Sequence, residues 1–441
     1  MSEWQKVKIG DVMSHRKEAI LIDDAVEYKL CRVQLHRRGV VLRNLQYGAE
    51  IKTKKQYPCK KDDFIFAEMD SKLGGYGVIP EELEGAIVSS HYYLFEVNQK
   101  KLLVDFLKIL LKTQVIQDQI KPTGSTNYAS VRPKEFLNFT LLIPDVKTQH
   151  EIVIKFQNFQ KKYEKVSTKN TFQQSHLALL RQQILQDAIS GKLTADWRAE
   201  NPDTEPASKL LNQIKTEKEK LVAEKKIKKE KPLPKIATEE VPFELPEGWE
   251  WCRLGEIVIF SENNNIHSNL NENEIVNYVD IDAVNNKTFS IENVKEKKVK
   301  DLSSRARRVL SKGDIVYSLV RPYLNNIAIV QENKPNYIGS TGFAVFSGII
   351  VINDFLFNAL LSDYIRKLYL KFLSGFNSPS ITHDQFKNTA IPLPPRAEQR
   401  AIVAKVERLM KLVSQLEEKI AQNANSAETL MQAFLGEVFR K

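Results

Sequence analysis

The sequence predicts an α+β protein made by tandem duplication. Two globular modules are each followed by a long helix, and the helices pair antiparallel about a pseudo-two-fold axis. Three observations carry this prediction. Short motifs recur in the same order about 250 residues apart. Each copy passes from strand-like runs through one helical segment to a sustained 4-3 spacing of apolar residues. The stretch between the copies resembles neither of them.

Internal repeats are decided first, because they set the architecture. Trp4, Lys8 and Gly10 recur as Trp249, Arg253 and Gly255, at an offset of 245. Asp63-Phe-Ile-Phe-Ala67 matches Asp314-Ile-Val-Tyr-Ser318, and Ile87 to Phe95 matches Ile338 to Phe346, both at 251. Asp105-Phe-Leu matches Asp354-Phe-Leu at 249, and Phe136 to Val153 matches Phe386 to Val403 at 250. The last match includes Pro144 with Pro394 and Gln149 with Gln399. Ordered matches with so little drift imply duplication.

Residues 1–145 and 245–395 are the expected modules. Phe64-Ile-Phe-Ala, Asp314-Ile-Val-Tyr-Ser and Phe343-Ala-Val-Phe read as strands. Leu102 to Ile120 and Asp354 to Leu373 carry helical spacing and predict one helix in each module. Residues 146–193 and 396–441 are the expected spacer helices. Their seam runs through Ile152, Phe156, Phe159, Tyr163 and Val166, resuming at Leu180 and Ile184. In the second copy it runs through Ile402, Val406, Leu409, Val413, Leu416, Ile420 and Leu430. Such a repeat predicts coiled-coil packing. A helix of about 45 residues spans roughly 65–70 Å, enough for a rigid spacer. Residues 194–244 hold nine lysines against four glutamates within Lys215 to Lys235, with Pro232, Pro234 and Pro242, and Pro246 follows just beyond. They read as a Lys/Pro-rich linker with a short helix from Leu210 to Ile227.

The chain has 441 residues, is 42% hydrophobic and carries a net charge of +10. A basic balance favours a polyanionic partner. Cys31, Cys59 and Cys252 are too few and scattered for a disulfide framework or zinc site. With no long apolar stretch and no signal-peptide core in Met1 to Gly10, a soluble cytoplasmic protein is expected. The sequence has no Gly-x-x-x-x-Gly-Lys-Ser/Thr and no Gly-x-Gly-x-x-Gly. It also lacks the Asn/Asp-Pro-Pro-Tyr/Phe element of adenine methyltransferases and any His-Glu-x-x-His. No catalytic residue and no metal ligand is therefore assigned.

Basic residues cluster at Arg32, His36, Arg37, Arg38, Arg43, Lys52, Lys54 and Lys55 in the first module. In the second they cluster at Lys300, Arg305, Arg307, Arg308 and Arg321. Polar loops accompany them: Ser125, Thr126 and Asn127 in one module, Tyr323, Asn325 and Asn377 in the other. Arginine forks onto guanine in the major groove, and either cation holds phosphate. These residues are the candidate double-stranded-DNA contacts. The modules differ most at residues 277–286 and 301–308, as expected if a shared frame reads two different half-sites. The competing readings are an enzyme in its own right and a scaffold that never touches DNA.

The chain resembles the specificity subunit of a type I restriction-modification enzyme. The resemblance rests on Leu-Pro-Glu-Gly-Trp-Glu-Trp-Cys-Arg-Leu-Gly-Glu-Ile (245–257), Lys-Gly-Asp-Ile-Val (312–316) and Leu-Arg-Gln-Gln-Ile-Leu-Gln-Asp-Ala-Ile-Ser-Gly-Lys-Leu (180–193). It rests also on Ile-Pro-Leu-Pro-Pro-Arg-Ala-Glu-Gln-Arg-Ala-Ile-Val (391–403) and covers essentially the whole chain. One departure is Thr148 in the first copy, where the second has Glu398. The resemblance implies two target recognition domains, each reading half of a bipartite asymmetric site, with a gap set by the paired helices. It implies no catalysis and no cofactor in this chain. It implies two adenine methyltransferase subunits that bind S-adenosylmethionine, and two restriction/translocase subunits that use ATP and Mg.

Overall fold

The computed structural model describes residues 4–121, 131–375 and 377–439. The chain forms two compact units, residues 1–171 with 421–441 and residues 172–420.

In unit 1 the strand Gln5–Lys8 pairs antiparallel with Thr140–Ile143, closing the module at the root of the first long helix, Val146–Ile189. A four-stranded antiparallel sheet follows in the order Met13–Arg16, Tyr92–Val97, Phe64–Ala67, Tyr76–Val78. Phe64–Ala67 is apolar throughout because both of its faces are covered. Phe64 and Phe66 join one core with Phe95 and Phe136, while Ile65 joins another with Val33, Val40 and Leu94. Successive side chains on a strand point to opposite faces, so an inner strand buried on both sides reads as unbroken apolar sequence. The second sheet runs Ile20–Leu21, Lys55–Pro58, Ile87–Val88, Glu27–Val33, Val40–Tyr47, with Ile87–Val88 parallel to Glu27–Val33.

Unit 2 repeats this plan. Glu250–Arg253 pairs with Ala390–Leu393, at the root of the second long helix, Arg396–Phe439. Its first sheet runs Val258–Phe260, Phe343–Gly348, Ile315–Ser318, Ile327–Ile329. Ile315 and Tyr317 face one core and Val316 the other. The second sheet runs Ala306–Val309, Tyr337–Ser340, Ile275–Val279, Lys295–Lys298, and its one parallel pair is again central. The duplication therefore extends to strand order and direction.

The recurring motif residues do matching work. A Cβ on Gly10 would lie 3.2 Å from the Leu137 carbonyl oxygen, and one on Gly255 3.3 Å from that of Lys387. The Asp63 carboxylate accepts from Lys60 N (3.0 Å), and that of Asp314 from Ser311 N (2.8 Å), closing the same turn. Burial pushes both carboxyls up; Arg16, bonded to Asp63 at Nε (3.1 Å), pulls that one back in part.

Both long helices have 44 residues. In unit 1 Phe156 and Phe159 meet Phe434, with ring centroids 5.9 and 5.4 Å apart. In unit 2 Arg181 bonds Glu417 (2.7 Å) and Ser414 (2.9 Å), while Thr194, just past the first helix, bonds Glu398 (2.6 Å). Residue numbers rise along one helix as they fall along the other, so the pairing is antiparallel.

Several expectations need correction. Leu180, Leu416, Leu430 and Val166 are exposed and form no seam. In unit 2 the facing positions are Arg181 and Glu417, each one residue further on, between buried Leu177 and Ile184 and between buried Val413 and Ile420. An undistorted helix has 3.6 residues per turn, so its stripe drifts from a strict 3.5 repeat. The same slip replaces Leu430 with Met431, Phe434 and Leu435 on the core of unit 1. Beyond Tyr163 the first helix loses its apolar cover; Asn170 is the next buried residue and Leu177 follows it.

Leu102 to Ile120 is not one helix. It yields Val104–Leu110 and a 3-10 turn at Gln117–Gln119, and the Thr113 hydroxyl satisfies the Leu110 carbonyl (2.6 Å) at the helix end. Asp354 to Leu373 is broken into Asn353–Leu360 and Asp363–Phe372, where Ser362 Oγ caps the second helix. Residues 194–244 are no free linker. Helix Ala207–Ala223 buries Ala207, Leu210 and Ile214 in the unit 2 core, and the chain after it is strapped to that unit through Arg253.

The altered seam separates two substitutions that a strict heptad would equate. Val413→Asp places a carboxylate in the unit 2 core and is expected to cost several kcal/mol, about 3 or more. Leu416→Asp, on exposed surface, is expected to stay within about 0.5 kcal/mol of wild type. Urea midpoints of the two variants check this; equal losses would restore the strict heptad.

Candidate nucleic-acid interface

In unit 2 four loops are laced into one face by backbone hydrogen bonds. Thr341 N donates to Arg305 O (2.8 Å), Leu319 N to Gly342 O (2.9 Å), Ile381 N to Leu319 O (3.0 Å) and Arg321 N to Pro379 O (2.7 Å). The Arg321 guanidinium also donates to the Asn377 carbonyl (3.0 Å). Between Arg321 and Asn325 the chain makes a 3-10 turn, Pro322–Leu324, seated on buried Pro322. This leaves Tyr323 and Leu324 exposed. Asn286 braces the turn by donating to Leu324 O (2.9 Å). Arg305, Arg321, Tyr323, Asn325 and Asn377 are thereby brought together.

The turn is strained at one end. Arg321 and Asn325 both have left-handed backbones (φ 48° and 55°). Asparagine tolerates that region, whereas for arginine it costs on the order of 1 kcal/mol or more and persists only where neighbours enforce it. Pro379 and Asn377 supply that enforcement.

The other arginines of the cluster are placed differently. Arg308 is 8% exposed, because Ala306–Val309 is a strand whose alternate residues point inward. Its guanidinium contacts the Ser261 carbonyl and His383 Nε2, the latter at 2.7 Å. Arg308 is thus a structural residue, not a DNA contact. Burial and the Arg308 charge push the His383 imidazole down to about 4, so the neutral ring accepts from arginine. Arg307 is exposed but folds its Nε onto Ser304 O (2.8 Å). Lys300 stands exposed on the turn Val299–Asp301, whose backbone bonds run to Glu272 and Glu274 rather than to the laced loops.

Among the described residues, unit 1 carries counterparts of two of these four bonds. Glu68 N donates to His91 O (2.9 Å) and Val131 N to Glu68 O (3.3 Å). The 3-10 turn Ser71–Leu73 stands where Pro322–Leu324 stands, and left-handed Gly74 (φ 78°) takes the place of Asn325. The hairpin between Glu27–Val33 and Val40–Tyr47 leans on this turn: His36 N bonds Leu73 O (2.7 Å) and Arg37 N bonds Gly74 O (3.0 Å). A Cβ on Gly74 would sit 2.9 Å from Arg37 N, so only glycine permits the approach. His36 and Arg37 are themselves left-handed (φ 59° and 61°). Arg37 and Arg38 thus belong to the face. Arg32 and Arg43 are exposed on the two hairpin strands, and Lys52 and Lys55 are exposed on and beside Lys55–Pro58. Lys54 is already engaged by Asp24 (2.5 Å) and the Gly48 carbonyl (2.7 Å). Ser125, Thr126 and Asn127 lie outside the described residues.

Sequence reasoning missed Thr341, Asn286 and Gly74 as parts of these faces. The signal for Gly74 was available, since an offset of 251 sets it on Asn325. It also missed that Cys31 and Cys59 meet, as free buried thiols with sulfurs 3.8 Å apart. Among the described residues no group of three or more His, Cys, Asp or Glu side chains could hold a metal ion. No described helix is long and apolar enough to cross a membrane.

A duplicated α+β frame with a basic, loop-built face on each copy defines a class of protein that presents two related surfaces from one chain. The chain belongs to the type I restriction modification DNA specificity domain family, whose model matches residues 1–172 and again 246–425. It is 33% identical over 263 residues to the type I restriction enzyme EcoAI specificity subunit of Escherichia coli. That alignment covers 58% of this chain and spans 43% of the relative's length. The fold is similar to that in a structure of complex assembly and conformational transition of the type I R-M system (TM-score 0.69, 19% identity, 99% of this chain, 97% of that one). It is similar also to the HsdS subunit of Thermoanaerobacter tengcongensis (TM-score 0.58, 20% identity, 99% and 96%).

The Arg308–His383 contact has a pH signature. Unfolded, the imidazole titrates near 6.5; folded, it stays neutral to about 4. The unfolded chain therefore takes up this proton first as pH falls. The stability this group contributes is intact above about 6.5 and lost progressively between 6.5 and 4. His383→Gln, which keeps an acceptor for Arg308, is expected to flatten that part of a Tm-against-pH curve. An unchanged slope would mean that other groups dominate the acid limb.

Proposed function

We propose that this chain is the non-catalytic, DNA-reading subunit of a type I restriction-modification complex. Each unit reads one half of a bipartite, asymmetric duplex site through its laced loop face. The observation that carries this reading is a partly shared lacing with two sets of side chains. Arg37, Arg38 and Gly74 stand in one copy, Arg321, Tyr323, Asn325 and Asn377 in the other. Identical faces would suit a palindrome; divergent faces on a common frame suit two different half-sites.

Lysines and arginines around each face supply affinity through phosphate, which makes binding salt-dependent. Arg321 and the amides of Asn325 and Asn377 supply discrimination by pairing with base edges. The long helices fix the gap, so that once one half-site is bound the second contact is intramolecular. The same helices dock two adenine methyltransferase subunits, which bind S-adenosylmethionine. Two restriction/translocase subunits using ATP and Mg complete the complex in the cytoplasm, where the DNA is. The target adenine leaves the base stack to reach a methyltransferase pocket.

A map of methylated adenines in cells expressing the cognate methyltransferase, with and without this chain, tests the proposal. A gapped two-part motif that depends on the chain is expected. Exchanging residues 1–145 for another module should change one half of that motif; a change in both halves, or in neither, would sink the reading. Asn377→Ala is expected to relax the other half only, by about 1–3 kcal/mol per lost base contact. Lys52→Ala should instead weaken all sequences alike and lower the salt slope by about one.

A further inference from the structure

Among the described residues, the duplication leaves one surface covered in unit 2 and bare in unit 1. In unit 2 the chain that follows Ala207–Ala223 returns in extended form across the turn holding Gly255. Leu233 packs so closely there that a Cβ on Gly255 would lie 2.9 Å from its Cδ1. Arg253, 3% exposed, donates to the carbonyls of Pro234 (3.0 Å), Lys235 (2.9 Å) and Asn388 (2.6 Å). It also takes both carboxylate oxygens of Glu240 (2.5 and 2.8 Å). Glu240 is held below the usual carboxylate range, chiefly by that hydrogen bond.

Among the described residues, unit 1 has the same frame without the strap. Lys8 stands at the Arg253 position, Gly10 at Gly255 and Asn138 at Asn388. The local geometry matches closely. Lys8 N bonds Asp11 Oδ2 (3.0 Å) as Arg253 N bonds Glu256 Oε2 (2.7 Å), and each glycine abuts the equivalent carbonyl, of Leu137 or Lys387. Yet Lys8, Gly10 and Asn138 are exposed, whereas Arg253 and Gly255 are buried. The Lys8 ammonium reaches the Asn138 side chain (3.3 Å), and exposed Lys101 donates to Asp11 O (3.2 Å). The bare face is therefore basic around a glycine notch.

We propose that this face of unit 1 is a docking site for an extended segment of a partner polypeptide, built like the strap. Such a segment seats an apolar side chain on Gly10 and presents a carboxylate to Lys8 seven residues later, the spacing of Leu233 and Glu240. Charge complementarity assigns the occupant: Lys8 and Lys101 beside the notch suit a partner segment that carries a carboxylate, as Glu240 suits Arg253 in unit 2. Backbone and charge complementarity supply the recognition, as in other extended-peptide sites. The proposal does not depend on which DNA, if any, the loop faces read.

The probe is a labelled peptide copying residues 231–241, titrated onto the full-length chain. One saturable site per chain is expected. Lys8→Glu, a change at an exposed residue that should leave the Tm unchanged, is expected to weaken binding about tenfold or more through loss and reversal of a charge-assisted contact. A peptide with both Glu239 and Glu240 changed to Lys should recover affinity for the Lys8→Glu variant. No binding to the wild-type chain overturns the proposal. So does binding indifferent to Lys8→Glu, which would place the peptide on the strap's own seat in unit 2. Sedimentation showing a wild-type dimer that Lys8→Glu dissociates would give the face to a second copy of this chain and overturn the assigned occupant.

Discussion

One buried side-chain amide ties each module to its long helix. Gln149 and Gln399 are wholly buried. Gln149 Nε2 donates to the carbonyls of Lys101 and Pro144 (2.9 Å each), while its oxygen accepts from Leu103 N (2.8 Å). Gln399 Nε2 donates to Pro394 O (2.9 Å), and its oxygen accepts from Ile352 N (3.0 Å). A buried amide must find its partners or cost about 1–3 kcal/mol per group left bare. The first turn of each long helix is therefore locked to the loop that starts the module's own helix. Within each unit the helix cannot rotate about its axis without breaking this clamp, so the loop face keeps a fixed bearing on the helix. A rigid relation of this kind is what any account of a defined gap requires.

With the frame locked, the two copies were free to diverge at their loops. Strand order, the central parallel pair and part of the backbone lacing are kept, while the hairpin that braces the turn is rebuilt. In unit 1 it is a long hairpin whose His36 and Arg37 adopt left-handed backbones; in unit 2 the short pair Val284–Asn285 and Ser290–Ile291 delivers Asn286 instead. Arg321, His36 and Arg37 thus hold left-handed backbones on loops that rest on a rigid core.

The duplication was legible because its motif residues meet geometric demands that few residues satisfy. A glutamine of the right reach, a glycine against a carbonyl and an aspartate closing a turn each leave a mark in sequence. Orientation was less legible. Arg305 and Arg308 are indistinguishable as letters, and only the phase of the strand Ala306–Val309 shows that one faces outward and the other holds Ser261 and His383. The seam failed by one residue for a related reason: a 4-3 pattern predicts a strict heptad, yet the helices place Arg181 against Glu417 beside Leu180 and Leu416. The segment at 194–244 misled through its lysines. Most of them lie beyond a helix whose Ala207, Leu210 and Ile214, spaced three and four apart, were a readable sign of docking.

The single mismatch in the most specific motif, Thr148 against Glu398, follows from what each helix start receives. In unit 2 the chain leaving the first long helix turns at Gly191 and passes directly over Glu398. That carboxylate, 1% exposed, takes the Trp249 indole N–H (2.7 Å), the Thr194 hydroxyl (2.6 Å) and the Arg198 guanidinium (2.5 Å). A buried carboxylate is tolerable only with such a full set of donors, and removing any of them would strand a charge. At the unit 1 helix start Thr148 turns instead to its own cap, bonding Asp145 through both backbone and hydroxyl (2.9 and 3.0 Å). Trp4 there packs on Phe106 and Phe439, with ring centroids 6.3 and 6.0 Å away. The asymmetry thus records where the connecting chain must be anchored, and the locked helix root survives in both copies because the glutamine beside this position is the same in each.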